Sequence, residues 1–175
     1  MPEPIDIAGE LVRLRTTTAD DKTALIAIRA TDEVRRWWRG DDLASEFDDD
    51  LADDDVERLT IETADGEVVG LIQFAEEDDP DYRHAGIDIY VDPTHHRRGF
   101  ATDAIRTLVT YLLEERHHHR LTIDPSADND AAIACYSAVG FSPVGVMRAY
   151  ERRRDGSWGD GLLMELVDED RAGPR

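Results

Sequence analysis

Two carboxylates, one phenol and a basic loop with a single glycine are the groups in this chain whose types and placement suit chemistry. Asp88 interrupts an apolar run at residues 85–91, where a charged side chain requires a partner or a purpose. Asp124 opens the string Asp124-Pro125-Ser126-Ala127-Asp128-Asn129, and Tyr136 follows Asn129 by seven residues on the same face of a helix expected there. His96-Arg97-Arg98-Gly99-Phe100-Ala101 lies between the 85–91 strand and a helix expected over 101–115. The first N–H groups of a helix lack intrahelical partners and the helix dipole adds positive potential, so this junction suits a pyrophosphate. Gly99 lets the backbone come close, Ala101 keeps the wall low, and Arg97 and Arg98 supply charge-assisted hydrogen bonds. The string is neither G-x-x-x-x-G-K-[ST] nor G-x-G-x-x-G, so neither a nucleoside triphosphatase nor a dinucleotide fold is indicated.

Composition narrows the partners. The 175 residues, 41% of them hydrophobic, suit one domain over 1–175 with one substantial core. Forty acidic residues against 20 Lys and Arg leave a net charge of −20. That balance argues against nucleic acid and anionic membranes and favours a cationic partner. Cys135 is the single cysteine and has no His at a recognisable spacing, so it reads as a small apolar side chain rather than a nucleophile. Three consecutive residues, His117-His118-His119, cannot all face one ion; they are expected to complement a helix C-terminus, and no metal is expected. Residues 1–15 carry no basic-then-apolar leader and no stretch is apolar enough to span a membrane, so a cytoplasmic location is expected.

The elements that must position these groups follow from periodicity. Residues 11–14 read as a first strand, and Thr18 as the N-cap of a helix through Ala24, Leu25 and Ile28. A short second helix ends near Trp37-Trp38. Ten of the 17 residues in 41–57 are acidic, yet Leu43, Phe47, Leu51 and Val56 recur at near-helical spacing, which predicts a helical lid with a negative face. Strands at 59–63 and 68–74 flank Asp65-Gly66, a hairpin signal, and residues 76–81 read as an acidic loop. The apolar stripe of Ala101, Ala104, Ile105, Leu108, Val109 and Leu112 packs the next helix on a sheet. A short strand at 121–123, a helix at 129–139 closed by Gly140, and paired strands at 144–152 and 162–167 complete a mixed α/β sheet.

This order and these motifs resemble the GNAT superfamily of N-acetyltransferases over residues 11–166, most specifically from Gly86 onward. The 96–101 loop is similar to that family's [Arg/Gln]-x-x-Gly-x-[Gly/Ala] acetyl-CoA loop, with His96 where the family carries Arg or Gln. The resemblance implies a mostly antiparallel central sheet flanked by helices and acetyl-CoA as co-substrate, held by His96, Arg97, Arg98, Gly99, Phe100, Ala101 and Thr102. It also implies a bulged strand whose freed N–H groups near Ile89, Tyr90 and Val91 stabilise the oxyanion, an Asn129 that contacts the pantetheine arm, and a Tyr136 that protonates the departing thiolate. Asp88 is then the candidate base, directly or through one water, provided its surroundings raise its pKa.

Within the superfamily, Arg36-Trp37-Trp38, Gly86-Ile87-Asp88, Thr122-Ile123-Asp124-Pro125-Ser126 and Ala132-Ile133-Ala134-Cys135-Tyr136 resemble aminoglycoside 6'-N-acetyltransferases. That likeness implies a role in antibiotic resistance and a cationic acceptor held by Asp88 and Asp124, with Trp38 as an aromatic wall and Asp160 contributing from a loop. Acylation of a lysine or hydroxylysine side chain in siderophore assembly, and a non-catalytic acyl-CoA-binding module, are the alternatives. A monomer and a homodimer are both compatible with the sequence.

Overall fold

The computed structural model describes residues 3–171. In chain order the elements are β1 (Asp6–Ala8), β2 (Val12–Thr16), α1 (Lys22–Arg29), α2 (Asp32–Trp37), α3 (Leu43–Ala52), β3 (Val56–Thr63), β4 (Val68–Glu77), β5 (His84–Val91), α4 (Phe100–Glu114), β6 (Arg120–Ile123), α5 (Asp130–Val139), β7 (Ser142–Arg152), β8 (Trp158–Val167) and α6 (Asp168–Arg171). The strands form one mixed sheet in the order β1-β2-β3-β4-β5-β6-β8-β7. Every neighbouring pair is antiparallel except β5 and β6, which are joined through α4 and run parallel.

Two apolar clusters sandwich this sheet. Ala104, Ile105, Leu108, Val109 and Leu112 of α4 are buried against Leu14, Ile61, Ile72, Ile87 and Leu121. Burial of each such Leu or Ile side chain contributes about 1.5–3 kcal/mol, so α4 is fixed by its apolar stripe. On the opposite face Leu25 and Ile28 of α1, Val34 of α2 and Phe47 of α3 enclose Leu71 and Tyr90. Helix α3 forms where the acidic helical lid is expected, but through Phe47 it covers this apolar cluster; it is capped by Asp42, whose side chain accepts from the Ser45 N–H at 3.1 Å. Its acids are partly neutralised: Lys22 pairs with Asp48, Arg29 with Glu46, and Arg58 with Asp50 and Asp53.

The sheet also takes residues that periodicity assigned elsewhere. Val56 is the first residue of β3, because pairing with Ala75 outweighs its helical spacing to Leu51. Glu76 and Glu77 prolong β4 rather than looping out, since Glu76 is held by Arg116 and by His118 Nε2 at 2.6 Å. His118 is accordingly buried, and Arg83 holds the turn that follows α4, donating to the carbonyls of His117 and Arg116 at 2.8 Å. No group of three His, Cys, Asp or Glu among the described residues is placed to hold a metal ion. β1 is only three residues, Asp6-Ile7-Ala8, too short for a periodic signal, and forms through its pairing with β2 and an Arg13–Asp6 ion pair.

The buried Asp103 in the first turn of α4 ties the β1–β2 turn to that helix. Its carboxylate accepts from the N–H groups of Glu10, Leu11 and Val12 at 3.2, 2.8 and 3.0 Å. Gly9 allows this approach, because a Cβ there would stand 2.5 Å from Asp103 Oδ2. Replacing Asp103 with Ala leaves those amides without their acceptor and should cost about 2–3 kcal/mol, lowering Tm by roughly 4–12 °C in a chain of this size. Thermal unfolding followed by circular dichroism checks this, and an unchanged Tm would contradict it.

Candidate active site

β5 and β6 pair only at Ala85↔Leu121 and Gly86↔Thr122, and beyond these two rungs they diverge. Each arm then has its own partner. β5 stays on β4 without a register break from Glu77↔His84 to Gly70↔Val91. The chain after β6 turns onto β8, where Leu162 N–H donates to the Pro125 carbonyl and Ala127 N–H to the Asp160 carbonyl, at 2.9 and 2.8 Å. The resulting gap opens a cleft of about 1160 Å³ that runs through the sheet from α4 and α5 to α2. That is ample for a cofactor-sized ligand.

The gap, not a bulge, frees the β5 amides. Asp92 N–H donates to the Val69 carbonyl at 2.7 Å and Gly70 faces Val91. Alternation then turns the Ile89 and Val91 N–H groups into the gap and spends that of Tyr90 on β4. The Tyr90 ring belongs to the apolar cluster under the lid, edge-on to Trp38 at 4.9 Å, and burial pushes its phenol up. The expected bulge is therefore absent, and of the three backbone groups only Ile89 and Val91 are available.

At one end of the cleft the α4 N-terminus presents its unpaired amides. Gly99 is the N-cap with φ 82°, no side chain caps the helix, and the first helical bond runs from Asp103 N–H to the Gly99 carbonyl at 2.9 Å. Gly99, Phe100, Ala101 and Thr102 all line the cleft. Arg97, also left-handed with φ 60°, lines it too. His96 keeps the loop against β5, its Nε2 donating to the Val91 carbonyl at 3.0 Å. Arg98 departs from expectation: its guanidinium lies 5.0 Å from the Phe100 ring centroid, outside the cleft lining. Asn129 caps α5, accepting from Ala132 N–H at 3.2 Å, and also faces the cleft.

Asp88, Asp124 and Tyr136 meet in the middle. Tyr136 is 8% exposed, and none of the hydrogen bonds among the described residues involves its hydroxyl. Burial, then the charges around Cys135, Asp88 and Asp124, push its phenol well above the usual range. Water reaches Asp88 through the cleft, yet protein surrounds it on the other sides. Burial is accordingly the largest cause of its raised carboxyl pKa, followed by the Asp124 charge, against a hydrogen bond from Gln73. Asp124 Oδ2 accepts from the Tyr150 hydroxyl. Cys135 Sγ lies 3.4 Å from Thr102 Oγ1, and burial raises its thiol pKa, which suits packing better than nucleophilic attack. Trp38 and Trp37 both line the far end.

A model of the Acetyltransferase (GNAT) family matches residues 24–141. The chain belongs to this family. This acetyltransferase is similar to the spermidine N(1)-acetyltransferase of Escherichia coli strain K12, 26% identical over 140 residues that cover 77% of this chain and 74% of the relative. It is similar to the aminoglycoside N(6')-acetyltransferase type 1 of Klebsiella pneumoniae, 27% identical over 160 residues covering 80% and 78%. Its fold is similar to that of a spermidine N-acetyltransferase from Vibrio cholerae solved with CoA and spermine, with a TM-score of 0.79 at 19% identity over 93% and 99% of the two chains. Acetyl-CoA-dependent N-acetyl transfer is the activity this membership carries.

Besides Arg98, a second expected site residue of this acetyltransferase lies outside the cleft lining. Asp160 belongs to β8, not to a loop, and its Oδ1 accepts from Ala149 N–H at 2.8 Å outside the cleft lining. Tyr150 and Glu151 of β7 occupy the wall instead. Nothing in the sequence marks them, because the register shift between Met147 and Glu151 that turns them inward occurs at Ala149 without a glycine. The coupling of Asp88 to Asp124 is directly measurable. In a carbon-13 carboxyl titration Asp88 should titrate above the ordinary aspartate range near pH 4, and Asp124→Asn should lower its midpoint by removing a like charge. A midpoint unmoved by that substitution would contradict the geometry.

Proposed function

We propose that this acetyltransferase transfers acetyl from acetyl-CoA to a primary amine of a polycationic small molecule, specifically the 6'-amine of an aminoglycoside. The observation that carries the reading is the convergence of Asp88 and Asp124 on one cleft with Trp38 at its far end. A charge pair 4 Å apart is worth about 1 kcal/mol in bulk water but about 4 kcal/mol at an effective dielectric near 20, so a partly enclosed acidic wall favours several ammonium groups over one. A flat aromatic beside it suits a sugar ring. The spermidine-acetylating relative favours a second reading, a linear polyamine, which the same wall would hold.

In this reading the free amides of α4 and the Arg97 side chain receive the pyrophosphate, and Asn129 orients the arm that follows it. The N–H groups of Ile89 and Val91 stabilise the oxyanion as the thioester carbonyl is attacked. Asp88, its pKa raised by burial, takes a proton from the acceptor ammonium directly or through a water. The new C–N bond forms as the C–S bond breaks. Tyr136 stays protonated because its pKa is raised, so it can give its proton to the leaving sulfur, and the second proton shed by the acylated nitrogen, carried by water, restores the phenol.

Thiol release with kanamycin, with an aminoglycoside lacking the 6'-amine, and with spermidine tests the acceptor. Turnover of kanamycin but not of the analogue supports the aminoglycoside, turnover of spermidine alone supports the polyamine, and turnover of neither overturns the polycation reading. Asp88→Asn should lower kcat by about 10²–10⁴-fold while calorimetry finds acetyl-CoA Kd within about twofold, since the carboxylate lies away from the α4 amides. Retention of full kcat would remove Asp88 from the reaction.

A further inference from the structure

β7 makes a detour that pairing alone does not require. Met147 faces Gly161 and Glu151 faces Gly159, so Arg148, Ala149 and Tyr150 together stand opposite Asp160. Ala149 has φ 49°, a left-handed conformation that an alanine keeps only when its surroundings hold it there. Asp160 is the holder, through the 2.8 Å bond from Ala149 N–H. Gly161 clears the space beneath, because a Cβ at that position would stand 2.7 Å from the Tyr150 ring.

The detour delivers Tyr150 and Glu151 to the cleft wall. Tyr150 binds Asp124, which fixes the acidic corner, and the nine-tenths buried Tyr136 opens an unpaired hydroxyl on the same space. Burial and the Asp124 charge push the Glu151 carboxyl up, against Arg153 and Arg39. Those two cations are themselves tied, Arg153 to Asp128 and Arg39 to the Arg152 carbonyl at 3.1 Å. Glu151 is thus left as a carboxylate facing the cleft with no ion pair of its own among the described residues.

We propose that Glu151 binds a second ammonium group of the acceptor, and that Asp160 is the positioning residue that places it by holding the Ala149 bulge. This rests on the polycationic acceptor argued above. An acceptor with one amine reaches Asp88 and gains nothing from Glu151, whereas each added cation within reach does. Selection by charge number therefore resides in β7, separate from the proton-accepting carboxylate on β5.

The test is thiol release by the full chain with propylamine, 1,3-diaminopropane, spermidine, spermine and kanamycin. Glu151→Gln should raise KM for the polycation that the wild type uses best by about tenfold, with kcat changed less than acetyl transfer itself would require, and should flatten the dependence of kcat/KM on acceptor charge. Asp160→Ala should reproduce that pattern. Asp160→Asn, which keeps the oxygen that accepts from Ala149, should behave as wild type, and an unchanged acetyl-CoA KM certifies that each variant folds. An Asp160→Asn enzyme as impaired as Asp160→Ala overturns the positioning role, because the charge itself would then be in use. A Glu151→Gln enzyme with wild-type KM values overturns the binding role. A wild type that turns over none of the polycations overturns the acceptor reading itself, and the inference with it.

Discussion

The separation of β5 from β6 is the constraint on which the site depends. A pair of parallel strands that zipped to its end would place Ile89 against the chain beyond Ile123, satisfy the amides of Ile89 and Val91, and leave no passage through the sheet. Here two rungs suffice because each strand has a partner on its outer side. The backbone groups exposed by the gap would be costly inside a dry core. Facing an open cleft, they stay solvated, and in the proposed reaction the thioester carbonyl takes the place of that water.

Charge is distributed to match that opening. The net charge of −20 is spread over the lid, the β4 end and the cleft, but these regions differ in how far their acids are committed. On the lid, Asp48, Glu46, Asp50 and Asp53 each face Lys22, Arg29 or Arg58. At the end of β4, Glu76 is taken up by Arg116 and His118. In the cleft, Asp88 finds Gln73 and Asp124 finds Tyr150, neutral donors that orient a carboxylate without cancelling its charge. The cleft carboxylates thus act at short range in a partly enclosed space, while the acids around the lid and the β4 end act at long range and fade with salt.

Much of this was legible in the sequence, and the parts that were not share a cause. α4 announced itself because its stripe is a local pattern with a local consequence, and Gly99 because a left-handed N-cap favours glycine. Asp88, Asn129 and Tyr136 were found through motif spacing within one or two elements. Arg98 is the exception, drawn from the cleft by the Phe100 ring two residues on; Asp160, Glu151 and Asp103 were misread or missed because their roles are set by a partner in another element: a bulge in β7 opposite Asp160, a turn some ninety residues before Asp103. Val56 was misassigned for the same reason, its strand partner Ala75 lying outside any helical window. The bulge expected in β5 was carried over from resemblance, and the unbroken β4–β5 register replaces it with a gap that needs no extra residue.

The two walls of the passage belong to different halves of one sheet, β1 to β5 on one side and β6, β8 and β7 on the other, held edge to edge by two rungs and by a shared apolar core. Few hydrogen bonds register one half against the other. Residues on the outer hairpin are therefore free to drift in shape and charge without unsettling the wall that presents the peptide nitrogens, so a lineage built on this scaffold can exchange one amine for another while inheriting its thioester chemistry intact.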